Sequence, residues 1–357
     1  MPSHGQATPE TKGTKMSADL IRTKPKEWWK YYGDGVVQSG VTFPDAPKWR
    51  QFEGKPIPPR SLSLSERDDE RAARYRASEP EIDMVNVALY LRRPLLLTGK
   101  PGTGKSSLAY SVARELDLGP VLRWPITSRS TLQQGVYQYD AIARVQDASL
   151  KEDKNIGQYV RLGPLGTALL PTERPRVLLI DEIDKSDVDL PNDLLNVLEE
   201  GDYLIPELFR MRDKMPTVNV YAADGDDRVP ITGGLLRCRA FPFIILTSNG
   251  EREFSPAFLR RCLRLHIPEP DPVRLAAIVR SHLTEQWGEA TDSPVTRLIT
   301  DFLNRRSKID LSTDQLLNAV FMITRETTFG ESPEDIEKEK QKLVDSLLAS
   351  LTSGYTE

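Results

Sequence analysis

The stretch GKPGTGKSS, Gly99 to Ser107, fits the spacing G-x-x-x-x-G-K-[ST] and lies between an apolar run and an amphipathic one. Glycines at those intervals let backbone N–H groups curl around phosphates, as a nucleotide tail requires. Gly99, Pro101, Gly102, Thr103, Gly104, Lys105, Ser106 and Ser107 are therefore the candidate phosphate-binding residues. Lys105 would reach the outer phosphates, and Ser106 would ligate Mg2+ at the positive end of the following helix. The expected cofactors are ATP and Mg2+.

Three further groups could complete such a site. RVLLIDEID delivers Asp181 and Glu182 at the end of an apolar strand, where open α/β sheets bind ligands. Asp181 would hold Mg2+ through water, and Glu182 would polarise the attacking water as a general base. IILTSNGE ends another apolar run on Thr247, Ser248 and Asn249, and the Asn249 amide can meet a γ-phosphate or orient water. SPAFLRRCLRL sets Arg260 and Arg261 side by side at the close of a helical turn, just before a strand. Adjacent cations there either pair with surface acids or serve a charge elsewhere.

The elements that must carry these residues are legible from periodicity. PLLLTG, VLRWPIT, RVLLIDE and FPFIILTSN are continuous apolar runs, and SSLAYSVARELDL is amphipathic at helical spacing. Such strands alternating with helices predict an α/β fold with a parallel sheet covered on both faces. After HIPEPDP the strand signals stop, and VRLAAIVRSHL, VTRLITDFLNRR, STDQLLNAVFMI and EDIEKEKQKLVDSLLASL predict helices. The expected division is 1–75, a disordered tail with an aromatic arm and linker; 76–270, the nucleotide-binding α/β domain; and 271–357, a helical lid. The arm, KEWWKYYGDGVVQSGVTFPDAPKWRQF, holds Trp28, Trp29 and Trp49, three of the five tryptophans. Aromatics so clustered are expected to pack on their own domain or to dock a neighbour.

Composition limits the remaining classes. Of 357 residues, 39% are hydrophobic and 28% charged, with a formal net charge of −4, so no global pull toward nucleic acid exists. Cys238, Cys262 and His266 are too few for a zinc site, and two cysteines make no disulfide framework. The polar start MPSHGQATPETKGTK lacks a signal-peptide core, and no apolar run approaches the roughly 20 residues that span a bilayer. A soluble protein of a reducing cytoplasm, without membrane insertion, is expected.

The three motif stretches, GKPGTGKSS, LLIDEIDKSDVDLPNDLLNVLEEGDYLIPEL and TSNGEREFSPAFLRRC, resemble the AAA+ ATPases, and within them the MoxR branch. YVRLGPLGTALL is similar to the segment before the Asp-Glu strand in that family. TSRSTLQQGVYQYDAIARVQDASLKEDKNIGQ sits where the branch carries an extra element in helix 2. RMRDKMPTVNVYAADGDDRVPITGG sits where a hairpin precedes the sensor strand. The match covers roughly residues 80–351. The resemblance implies a P-loop AAA+ core, a C-terminal all-helical lid, and a homo-oligomeric ring, expected to be a hexamer, with each nucleotide at a subunit boundary. It also implies that an arginine from the neighbour, Arg261 by position or adjacent Arg260, reaches the γ-phosphate. Where the family carries a second sensor arginine at the start of a lid helix, this chain has Asp314 in DLSTDQLLNAV.

What the resemblance implies for function is a Mg2+-dependent ATPase ring that remodels or activates a separate protein partner, such as one with a von Willebrand factor A domain. Two other readings stay open. One is a slowly hydrolysing ATP-gated switch or adaptor that docks an effector, which the missing sensor arginine favours. The other is a nucleic-acid motor or loader, for which RMRDK and LLRCR add positive charge on the inserted hairpin.

Overall fold

The computed structural model describes residues 25–60, 62–150, 155–282, 294–306, 308–309, 311–324 and 333–348. The polar N-terminal tail lies outside the described residues.

Five strands form one parallel sheet: β1 (Leu95–Thr98), β2 (Leu122–Pro125), β3 (Val177–Asp181), β4 (Phe243–Ser248) and β5 (Leu263–His266). Their order is β5-β1-β4-β3-β2, so the chain makes crossovers between non-neighbours. Side chains alternate across the sheet. Leu96, Leu178, Ile180, Ile244 and Leu246 enter one core. Leu95, Leu97, Val177, Leu179, Phe243 and Ile245 enter the core on the other face. Burial on both sides is why these strands read as unbroken apolar runs.

Helices α1 (Glu66–Arg74), α2 (Glu79–Leu91) and α3 (Lys105–Glu115) accompany the second core, and α4 (Leu190–Glu200) and the short α5 (Pro256–Arg261) the first. Ser78 and Glu81 cap α2 reciprocally, and Ser65 accepts the Asp68 N–H at the start of α1. The two expected insertions fold together. The hairpin Thr217–Tyr221 with Arg228–Thr232 is antiparallel, and it joins the short strands Val160–Leu162 and Tyr137–Tyr139 in a four-stranded sheet beside the main one. α6 (Pro272–His282), α7 (Pro294–Arg306), α8 (Thr313–Thr324) and α9 (Pro333–Leu347) form the helical C-terminal part around Leu275, Phe302, Leu316 and Val344. No helix among the described residues is long and apolar enough to cross a membrane.

The aromatic arm packs mainly on its own chain. Tyr31 is fully buried, with its hydroxyl 2.8 Å from Ser111 Oγ on α3, and Trp29 donates its indole N–H to Asp83 on α2. Buried Asn86 accepts the N–H of Lys30 and Tyr31 and donates to Tyr31 O, as a strand partner would. Trp49, by contrast, stays 78% exposed. Arg50 next to it stacks on Phe241 and donates to carbonyls of Arg92, Leu198 and Glu199, filling the C-terminal ends of α2 and α4 with positive charge.

At the end of α3, Glu115 accepts backbone N–H groups of Tyr32, Gly33 and Gly35 from the arm. Burial pushes its carboxyl up to about 7 against the pull of the Tyr32 N–H, with the nearby Asp34 charge adding to the rise. A folded-state value above that of the unfolded chain means the folded protein binds the proton more tightly. The stability this group contributes is thus fullest below about pH 4.5 and falls as pH rises toward 7. In thermal melts, the advantage of wild type over Glu115→Gln is expected to shrink steadily across that window. A difference independent of pH would show that folding leaves the affinity of Glu115 for its proton unchanged.

Candidate functional site

The loop between β1 and α3 turns on glycines that need the left-handed region, Gly102 at φ 75° and Gly104 at φ 88°. A Cβ on Gly104 would come within 3.2 Å of the Tyr75 ring, and one on Gly102 within 3.2 Å of Ser312 Cβ. The loop is thus pressed between α1's end and the start of α8. Lys105 is buried and spends its three N–H groups on Gly99 O (2.7 Å), Lys100 O (2.8 Å) and Asn249 Oδ1 (2.9 Å). Burial lowers the ammonium's pKa, while Asp184, Glu182 and Asp181 pull it back up.

Asp181 ends β3 directly beneath this loop. Its Oδ1 accepts from Ser106 Oγ at 2.7 Å and from Thr247 Oγ1 at 2.9 Å, and its Oδ2 from the Arg123 guanidinium at 2.8 Å. Burial works to raise this carboxyl, but the two hydroxyls and Arg123 outweigh it and hold it below the usual carboxylate range. A hydroxyl and an ionised carboxylate meeting at one point are the hard oxygen donors that Mg2+ takes alongside phosphate and water. Ser106 and Asp181 therefore fit that ion.

Glu182 follows in the left-handed region at φ 62°, with its N–H donated to Thr247 Oγ1 at 2.8 Å. That turn leaves its carboxylate half exposed and 2.9 Å from Lys185 Nζ. Asp184, buried, accepts the N–H groups of Asn249 and Glu251 at 2.9 and 3.1 Å, which fixes the chain after β4 and hence the Asn249 amide. The structure brings the loop residues, Asp181, Glu182 and Asn249 into one site.

Arg260 and Arg261 stand elsewhere. Ser255 caps α5, Pro256 opens it and Phe258 buries it, so both arginines fall in its last turn. Arg261 pairs with Glu199 on α4 at 3.4 Å and donates to Ala257 O. Arg260 is exposed, donates to Pro256 O in its own helix, and makes no ion pair among the described residues. No hydrogen bond or ion pair joins either to the phosphate loop, Asp181 or Glu182 among the described residues.

The loop opens on a cleft of about 1970 Å³ between the α/β core and the C-terminal helices. Asp314, in the first turn of α8, lines it, and the predicted capping box is present, with Gln315 N–H on Ser312 Oγ and Ser312 N–H on Gln315 Oε1. Arg274 of α6 also lines the cleft. Arg274 meets both carboxylate oxygens of buried Glu81 at 3.0 Å, and the Tyr75 hydroxyl donates to the same carboxylate. Arg71 and Arg123 also line the cleft. Sequence reading missed Arg71, Arg123, Asp184 and Arg274. Only Asp184, two residues past Glu182 in the quoted motif, carried a signal that could have found it.

Residues 94–262 match the AAA domain of the dynein-related subfamily. The chain is similar to domain III of the replication initiation protein DnaA from Thermotoga maritima, 18% identical with a TM-score of 0.40, over 82% of this chain and 99% of that one. It is similar also to the FIGL-1 AAA domain solved with ADP, 16% identical, TM-score 0.36, over 74% of each chain. Caenorhabditis PCH-2 (C. elegans) is 16% identical with a TM-score of 0.36, over 80% of this chain and 69% of that one. No curated protein matches.

Proposed function

Starting from an AAA+ P-loop core with C-terminal helices, we propose that the chain is a Mg2+-dependent ATPase that works as a ring, each site finished by a neighbour, to remodel or activate a separate protein. The observation that carries this is a division of labour. Lys105, Ser106, Asp181, Glu182 and Asn249 share one site, whereas the arginines that would offset charge on the transferred phosphoryl group sit on α5, with no hydrogen bond or ion pair to it among the described residues. A guanidinium that cannot serve its own site is available to another copy. Arg260 suits this role better than Arg261, because Glu199 engages Arg261 and no carboxylate engages Arg260 among the described residues.

In this reading the loop N–H groups and Lys105 hold the phosphates, and bound Mg2+ would supply charge neutralisation between Ser106 and Asp181. Glu182 takes the proton from the attacking water, Asn249 orients that water or the γ-phosphate, and Arg260 of the adjacent copy stabilises the departing charge. The partner protein and the MoxR-type role follow from the motif resemblance alone. Asp314, standing where a cation would sense the γ-phosphate, favours slow turnover, and so keeps the ATP-gated switch as the second reading.

The test mixes two inactive variants, Lys105→Ala and the double variant Arg260→Ala, Arg261→Ala. The double variant is expected to fall by about 10³-fold, as loss of an arginine finger does in GTPase systems, and Lys105→Ala to fail because it no longer holds the phosphates. Mixing is expected to restore turnover above either parent, with Arg260→Ala alone reproducing most of the double variant's loss. Co-assembly without recovery would mean that no arginine crosses between copies, and the switch reading would then replace the shared-site ring.

A further inference from the structure

Arg71 lies before the sequence motifs, on α1, yet the structure brings it to the end of the phosphate loop. Ala72 is fully buried, and Asp69 pairs with Arg114 of α3 at 2.7 Å, so α1 is fastened along α3. From there the Arg71 guanidinium stacks on the Tyr110 ring, 4.4 Å from its centroid, and its Nε donates to Ser107 Oγ at 3.1 Å. Its two terminal NH2 groups have no hydrogen-bond partner among the described residues, and the side chain lines the cleft beside Gly104 and Ser107.

A stacked and tethered guanidinium with its outer donors free is preorganised for an anion, because little side-chain freedom remains to be lost on binding. We infer that Arg71 contacts the α-phosphate of the bound nucleotide. The direction follows from the loop. Lys105 serves the outer phosphates and Ser106 the metal, while the loop N–H groups cradle the α- and β-phosphates, so a guanidinium tethered to Ser107 at the end of the loop is nearest the inner ones. Arg71, held on Ser107, meets the phosphate nearest the sugar, which ADP and ATP share. The segment before the sequence motifs thereby supplies part of the nucleotide affinity. It supplies none of the γ-phosphate sensing.

This inference rests on the nucleotide reading of the cleft. The experiment measures binding of a fluorescent ADP and of a non-hydrolysable fluorescent ATP analogue to the full chain, and steady-state turnover beside it. Wild type, Arg71→Ala, Arg71→Lys and Lys105→Ala are compared. Arg71→Ala is expected to weaken both nucleotides about tenfold alike, with kcat at saturation within twofold of wild type and an unchanged melting temperature. Arg71→Lys, which keeps the charge but not the stacked plane, is expected to fall between. Unaltered affinities in Arg71→Ala would make Arg71 a surface cation and sink the inference alone. A loss confined to the ATP analogue, with kcat falling, would move Arg71 to the terminal phosphate and sink it equally. Wild type binding neither nucleotide better than Lys105→Ala would instead overturn the nucleotide reading itself.

Discussion

Glu182→Gln is expected to keep ATP bound while lowering hydrolysis by about 10²–10⁴-fold, the range that a positioned general base contributes. The substitution preserves the shape of the side chain and one acceptor oxygen, so the Lys185 contact at 2.9 Å persists. It also leaves the backbone turn untouched, since the left-handed φ of 62° is held by the N–H bond to Thr247 and not by the carboxylate. What is lost is the ability to accept a proton. Thr247 is the reason the effect should be clean, because its hydroxyl binds both the Glu182 N–H and Asp181 and thus spaces the proposed base from the proposed metal ligand. Titration with fluorescent ATP, beside a phosphate-release assay, separates the two steps. Turnover within threefold of wild type would remove Glu182 from the chemistry, and lost binding would make it a structural residue of the loop.

The second large effect concerns stability. Glu81 is 2% exposed and holds Arg274 of α6 through both oxygens, while also accepting from Tyr75 and from the Ser78 N–H that begins α2. Removing one member of a buried ion pair leaves the other without compensation, at a cost of about 3–5 kcal/mol, whereas replacing both by apolar groups can be nearly neutral. Glu81→Ala is therefore expected to lower unfolding stability in urea by about 3 kcal/mol, and Glu81→Ala with Arg274→Met to recover part of it. A single-variant loss below about 1 kcal/mol, with no recovery in the pair, would mean that the α6–α2 contact contributes nothing to holding the C-terminal helices against the core.

Much of the fold was legible because its signals are local. Leu95 to Leu97, Val177 to Ile180 and Phe243 to Leu246 are apolar on consecutive residues, and only burial on both sheet faces suits such a run. The phosphate loop, Asp181 and Glu182 were legible for a related reason, since strand ends and glycine spacing mark them along the chain. The cations around the cleft were not. Arg274 meets a residue 193 positions away, Arg71 one 36 away and Arg123 one 58 away, and charged residues spaced so widely look like solvated surface. The cluster of Trp28, Trp29 and Trp49 suggested burial, which Trp29 shows and Trp49 does not, and nothing in it pointed to Asp83, Asn86 and Ser111 as the residues that receive the arm. The start of α8 lies between these cases, its cap readable from Ser312 and Gln315, while the place of Asp314 on the cleft wall was not.

The path of residues 26–38 has a practical corollary for excision and proteolysis. They run between the α2 side chains Asp83 and Asn86 and the α3 side chains Ser111 and Glu115, closing hydrogen bonds to all four. A shortened chain opened at the first conspicuous motif helix would strand the buried amide of Asn86 and the carboxylate of Glu115. A fragment meant to keep this packing thus begins no later than residue 25, and a protease should cut residues 26–38 only slowly. The proline-rich stretch that follows is itself anchored, with Arg60 paired to buried Asp224 at 2.7 Å.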